Sequence, residues 1–235
     1  MTPYYTDDAG VIYNADALEV LPTLTRGSVD AVVTDPPYII GAVSAGNMAS
    51  KSGGWQDMMN SSQWFASWYR EVGRALRASG VFWTFLNWRS LPVVMRAAID
   101  AQLPITSMAV WDKQWIGPGG SQGLRPSYEL IALLCGEDFA IKDRGVPDII
   151  RHQVGSYKES GHPAEKPLGL VARLLELSSL PPGSLVVDPF LGSGTTARAA
   201  KDAGLRYIGI EAEERYCEIA ARRMGQEVLD LGGAA

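Results

Sequence analysis

"LVVDPFLGSGTTARAAKDAGLRYIGIE" (185–211) decides the fold. It reads as a strand, a glycine-rich turn, a helix and a second strand. Gly192 and Gly194 let the backbone come close to a ligand at the turn. Thr195 and Thr196 open the helix, whose unpaired N–H groups favour an anionic ligand group. Glu211 ends the second strand about 20 residues after the first glycine, where a carboxylate usually meets a pair of ribose hydroxyls. The turn is completed by Asp188, Pro189, Phe190 and Ser193. An acidic Asp188 suits the amino group of a methionine-like tail and would repel a dinucleotide pyrophosphate. The glycines alone leave the choice of nucleoside cofactor open, because G-S-G-T-T-A also approaches the hydride-cofactor fingerprint.

The rest of the chain repeats the alternation of strand and helix. "PYYTDDAGVIYNAD" reads as a hairpin turning at Asp8–Gly10, followed by a short helical turn in "ALEVLPTL". "VDAVVTD" (29–35) is an apolar run typical of a strand buried on both faces. Helices are expected over 61–79, ended by Gly80, then from Pro92, then over 167–179 with proline at the first helical position. Further strands are expected over 81–87, 105–113 and 128–136, and a last helix in "EERYCEIAARRM". Two Gly-rich loops, near 39–61 and 114–127, read as functional or flexible. Residues 137–165 carry few regular signals. The pattern predicts one α/β domain over 1–235 with a mostly parallel sheet and hairpin strands at one edge.

Composition fits that reading. The 235 residues are 46% hydrophobic and 20% charged, as in an ordinary globular domain. No run of about 18 apolar residues suggests a membrane span, and the N-terminus lacks the pattern of a signal peptide. Two cysteines, Cys135 and Cys217, give neither a disulfide framework nor a metal spacing, and both are expected to be buried. His152 and His162 are too isolated for a metal site, so no metal is expected. A reducing cytoplasm follows as the expected location. The formal charge of −5 counts mildly against a nucleic-acid partner, although a local basic surface can sit on an acidic body.

A second stretch narrows the reading. "TDPPY" (34–38) ends the buried strand with an aspartate, two prolines and a tyrosine. Together with "DPFLGSGTT" (188–196), it resembles an amino DNA methyltransferase that uses S-adenosylmethionine. The D-P-P-Y segment precedes the glycine turn, which resembles the circularly permuted beta class of these enzymes. "YNADALEVL" (13–21), "ASGVFWTFLNW", the R-P-x-x-E of "GLRPSYELIALLCG" and "HPAEKP" (162–167) match family segments in the same order, with Asn14–Ala15 departing from the usual glycine. The resemblance covers nearly the whole chain.

It implies a Rossmann-like methyltransferase fold and a chemistry. An exocyclic amine on a base is a poor nucleophile because its lone pair is conjugated with the ring. Asp35 and the Pro36 carbonyl would accept its two N–H hydrogens, and Pro37 would stiffen Pro36. Tyr38 would stack on a base taken out of the duplex. Asp16 resembles the residue near the cofactor's adenine amine, though it also suits a helix N-cap. Lys166 could meet the cofactor carboxylate.

The expected reaction is methyl transfer to N6 of adenine in double-stranded DNA, with N4 of cytosine as the alternative. The alternatives of other kinds are an RNA or protein-amide methyltransferase, a non-catalytic DNA-binding protein and a nicotinamide oxidoreductase. Neither cysteine follows a proline, so covalent cytosine carbon-5 chemistry is not expected. Arg89, Arg96, Lys113, Arg125, Lys142, Arg144, Arg151 and Lys158 fall where the resemblance places loops facing DNA. Sequence readout is expected from the two Gly-rich loops, from a small recognition region near 137–160, or from a second subunit of a homodimer. A restriction-modification setting is a further expectation of the resemblance.

Overall fold

The computed structural model describes residues 1–37, 55–117, 123–154 and 165–226, and of residues 55–61 the backbone alone. Tyr38, Lys158 and His162 lie outside the described residues, as do 39–54 of the first Gly-rich loop and 118–122 of the second.

Nine strands among the described residues form one sheet. They are β1 (Tyr5–Thr6), β2 (Gly10–Asn14), β3 (Val29–Thr34), β4 (Leu76–Leu86), β5 (Ile105–Asp112), β6 (Tyr128–Cys135), β7 (Ile149–Arg151), β8 (Leu185–Asp188) and β9 (Arg206–Glu211). The order across the sheet is β1-β2-β9-β8-β3-β4-β6-β5-β7. Strands β2, β9, β8, β3 and β4 run parallel, β1 pairs antiparallel with β2, and β6 pairs antiparallel with both β4 and β5. The expected α/β sheet is therefore present, with a larger antiparallel part than a single edge hairpin.

Helices α1 (Ala17–Val20), α2 (Trp55–Ala75) and α3 (Leu91–Asp100) cover one face. Helices α4 (Leu168–Ser178), α5 (Thr195–Asp202) and α6 (Glu214–Gly225) cover the other. Each face closes its own apolar core. On the first, Phe65, Trp68, Tyr69 and Val72 of α2 are nearly inaccessible to solvent, as their spacing along one helix face requires.

The sheet positions a crevice through its connections. Strands β3 and β8 are parallel neighbours, with Ala31 opposite Val186 and Val32 opposite Val187. After β3 the chain passes through α2 on one face to β4. After β8 it passes through α5 on the opposite face to β9. Two connections leaving in opposite directions from adjacent strands open a gap at their carboxyl ends, the usual place for a ligand in an open α/β sheet.

Several local expectations need correction. Helix α2 ends at Ala75, not at Gly80. Leu76 already pairs with Val29, and Arg77 is held by Asp30 at 2.6 Å. Gly80 lies inside β4, where a Cβ would come 2.7 Å from Leu76 Cγ, so it relieves crowding at a bulge. Pro167 is extended (φ −58°, ψ 130°) and caps α4 from outside, its carbonyl accepting from Leu170 and Val171. Strand β7, parallel to β5, arises in a stretch where no strand was expected. Cys217 is buried, while Cys135 is partly exposed.

Candidate active site

The gap between β3 and β8 opens into a cavity of about 630 Å³, within the range of small-molecule sites. Both distinctive segments of the sequence line it. Asp35, Pro36 and Pro37 follow directly from the end of β3. Asp188, Pro189, Phe190, Gly192 and Ser193 follow from β8, with Thr195 and Thr196 at the start of α5. Glu211, at the end of β9, and Asp16, just beyond β2, line the same cavity, and Lys166 enters from the segment before α4.

The two strand ends are bonded to each other. Thr34 Oγ1 donates to Asp188 Oδ1 at 2.6 Å, and the Phe190 amide donates to the same oxygen at 3.0 Å. Asp188 is buried, and burial pushes its carboxyl up to about 6 even though the hydrogen bonds from Thr34, Thr196 and Phe190 pull the other way. Such a group suits a cationic ligand, which would restore its full ionisation.

The glycine turn is braced from Glu211. Its Oε2 accepts from the Gly192 amide at 2.9 Å and its Oε1 from the Glu213 amide at 2.8 Å. Gly192 has φ 54°, a left-handed conformation that glycine adopts without penalty. Gly194 answers a different need from the one its motif suggests. It is not among the cavity-lining residues; its φ is 86°, and a Cβ there would lie 2.9 Å from Ala220 Cβ of α6. Its close approach is to a helix.

Asp16 caps α1, its Oδ1 accepting from the Leu18 amide at 2.7 Å, while also lining the cavity. Asn14, where the resemblance expects glycine, donates to the carbonyls of Glu211 and Ala212 at 3.1 and 3.0 Å, tying β2 to the end of β9.

Asp35 lines the cavity just beyond the end of β3. Lys166 Nζ donates to its Oδ2, and Oδ1 is buried without a hydrogen-bond partner among the described residues. Leaving a buried acceptor unsatisfied costs about 1–3 kcal/mol, so a donor brought to this carboxylate by a ligand would be welcome. Lys166 is only 9% exposed and lies 3.4 Å from Glu129 Oε2. Burial alone would lower its ammonium's pKa, but the Asp35 and Glu129 carboxylates more than offset this and hold it above the usual lysine range.

Residues that sequence reasoning did not place here also line the cavity. Trp64 of α2 packs against Phe190, ring centroids 5.3 Å apart. Glu129 and Lys113 form an ion pair at 2.5 Å. Glu129 sits in the R-P-x-x-E segment, which was the available signal; Trp64 had none beyond being aromatic on a helix. Of the expected DNA-facing cations, Lys113 is mostly buried in this ion pair. Arg125 holds its own loop, donating to the carbonyls of Gly117 and Ile116 at 2.9 and 3.2 Å. Arg96 pairs with Asp100, and Arg151 with Asp112. Among the described residues no cluster of His, Cys, Asp and Glu could hold a metal ion, and no helix is long and apolar enough to cross a membrane.

This geometry agrees with what the chain is similar to. Type II methyltransferase M2.DpnII of Streptococcus pneumoniae is 28% identical over 96% of this chain and 93% of its own length. DNA adenine methyltransferase YhdJ of Escherichia coli strain K12 is 26% identical over 94% of this chain and 84% of its own. Among solved structures, PvuII DNA methyltransferase (cytosine-N4-specific) superposes with a TM-score of 0.76 at 20% identity, covering 99% of this chain and 90% of that one. The M1.HpyAVI–SAM complex superposes with a TM-score of 0.69 at 22% identity, covering 92% and 98%. The family described as DNA methylase matches residues 29–142 and 142–222, a span that holds both strand ends of the cavity, and the chain belongs to that family of N6-adenine and N4-cytosine DNA methyltransferases.

Proposed function

We infer that the cavity between β3 and β8 takes S-adenosylmethionine beside the glycine turn and a flipped DNA base beside Asp35, and that the enzyme methylates N6 of adenine. The observation that carries this reading is one cavity lined by Asp35–Pro37 and by Asp188–Ser193, Thr195 and Thr196, their parent strands bonded through Thr34 and Asp188. The residues suit that cofactor. Glu211 and Asp16 offer carboxylates to a nucleoside, and the raised Asp188 offers one to an ammonium. That the similar M1.HpyAVI chain is described as a SAM complex supports the same assignment.

S-adenosylmethionine supplies an electrophilic methyl group on a sulfonium sulfur. The chain's own residues prepare the nucleophile. The Asp35 carboxylate and the Pro36 carbonyl accept the two N–H hydrogens of the amine, drawing its lone pair out of conjugation and toward the methyl carbon. When bound, the cofactor would supply the methyl group to that nitrogen, its sulfur keeping the electron pair of the carbon–sulfur bond. The extra proton leaves the nitrogen by way of Asp35. Tyr38, which lies outside the described residues, stacks on the flipped base in this reading. In this reading positioning and preorganised hydrogen bonds account for most of the rate.

An aspartate at the head of the D-P-P-Y segment, and the likeness to YhdJ, support adenine over cytosine. The fold likeness to the N4-specific PvuII enzyme keeps cytosine as the second reading. The test is to supply labelled S-adenosylmethionine with duplex DNA, RNA or protein and digest the products. N6-methyladenine in DNA is expected. N4-methylcytosine would move the base assignment, and label only in RNA or protein would overturn the reading. The same reading takes the working unit as a homodimer with one recognition region per chain near 137–160. Sedimentation showing only monomer with DNA bound would remove the dimer.

A further inference from the structure

A chain of alternating charges runs from the sheet's antiparallel part to the reacting aspartate: Lys113, Glu129, Lys166, Asp35. Lys113 Nζ lies 2.5 Å from Glu129 Oε1, Glu129 Oε2 lies 3.4 Å from Lys166 Nζ, and Lys166 bonds Asp35. The four groups sum to zero charge, and the two central ones are mostly buried. Aromatic rings support both cations: Lys166 sits 5.2 Å from the centroid of Phe85, and Lys113 5.1 Å from that of Trp111. Glu129 contacts both lysines, one through each carboxylate oxygen. A buried ammonium at Lys166 needs carboxylate partners, and one of those partners is the group that must hold the amine.

We propose that Glu129 is a positioning residue of the methyl-transfer site, anchored by Lys113, which shares the Lys166 ammonium with Asp35 and so fixes the orientation of the Asp35 carboxylate. Without Glu129, Lys166 loses one of the two carboxylates that hold it. The carboxylate can then turn with it, and both acceptors for the amine are no longer aligned. Lys166 thereby serves Asp35, in place of the cofactor carboxylate that the motif suggested. The inference rests on the reading of Asp35 as the amine's acceptor.

A double-mutant cycle tests it. Glu129→Gln, Lys166→Gln and the double variant are compared for single-turnover methyl transfer to duplex DNA and for S-adenosylmethionine affinity by calorimetry. Each single variant should be slower, with cofactor Kd within about threefold of wild type, and because contacting charged groups couple by about 0.5–3 kcal/mol the two losses should fail to multiply by roughly 2–150-fold in rate. The double variant should be no slower than Lys166→Gln alone. Lys113→Gln gives a second cycle should Lys166→Gln not fold, its smaller loss vanishing in the Glu129→Gln background. Additive losses, an unchanged rate for Glu129→Gln, or a loss confined to cofactor Kd would overturn the proposal. Asp35→Asn separates the layers: if it retains turnover the Asp35 reading itself fails, and if it is inactive while the cycle is additive only the role of Glu129 fails.

Discussion

The Thr34 hydroxyl donates a 2.6 Å hydrogen bond to Asp188, tying the residue before Asp35 to the residue that opens the glycine turn. Two segments 154 positions apart thereby share one buried contact, which in the proposed reading registers the methyl donor's pocket against the base's. Thr34→Val keeps the shape and removes the donor. Losing a bond to a buried carboxylate costs about 1–3 kcal/mol, so chemical denaturation should show a loss of that size, and calorimetry a weaker cofactor. An unchanged denaturation midpoint would remove the contact from the account.

The buried position of Asp188 sets a pH dependence. Its folded value of about 6 lies above the ordinary 3.8. A carboxyl raised on folding favours the folded state when protonated. Its contribution is complete below the ordinary value and is lost as pH rises to about 6. Binding of an ammonium has the opposite sign, because it needs the ionised carboxylate. Cofactor Kd should rise up to about tenfold per pH unit as pH falls below about 6 and flatten above it. Calorimetry across this range should show that slope in the wild type, and Asp188→Asn should bind weakly without it. A slope that survives in Asp188→Asn would assign it to another group.

Glu211 does two jobs, and its substitution should report both. Its oxygens receive the amides of Gly192 and Glu213, so Glu211→Ala frees two backbone donors as well as removing the expected ribose contact. Cofactor affinity should drop about 5–150-fold, at about 1–3 kcal/mol for a lost charged hydrogen bond, and the melting temperature should fall with it. Unchanged cofactor affinity would leave Glu211 as a brace for the turn alone.

The fold was legible wherever burial dictates pattern. β3 and β8 are apolar runs because both faces are covered, and the hairpin turn read at Asp8–Gly10 is stabilised by the residue before it, Asp7 Oδ1 accepting from the amides of Ala9 and Gly10. What escaped depends on partners far away in the chain. Gly80 looked like a helix stop because the crowding from Leu76 that it relieves appears only once β4 joins the sheet. β7 is three residues long and exists by pairing with β5. Lys166 and Asp35 are 131 positions apart, so the motif that each belongs to could be recognised while the ion pair between them could not. Gly194 was legible as a required glycine, but not that its neighbour would be Ala220.

The acidic total, −5, makes the salt response of DNA binding informative. Phosphate contacts release counterions, so affinity should fall steeply with salt, the logarithmic slope being about −0.9 per phosphate neutralised. Fluorescence anisotropy on a duplex over a range of salt checks this. A flat response would exclude a groove that contacts phosphates.

The most direct test replaces the acceptor itself. Asp35→Ala should be assayed for single-turnover methyl transfer to duplex DNA and, in the same preparation, for S-adenosylmethionine affinity. Removing one preorganised partner of a transition state costs on the order of 10²–10³-fold in rate; the account predicts a loss at least that large, with cofactor Kd within severalfold of wild type. Turnover near wild type, with cofactor bound normally, would contradict it.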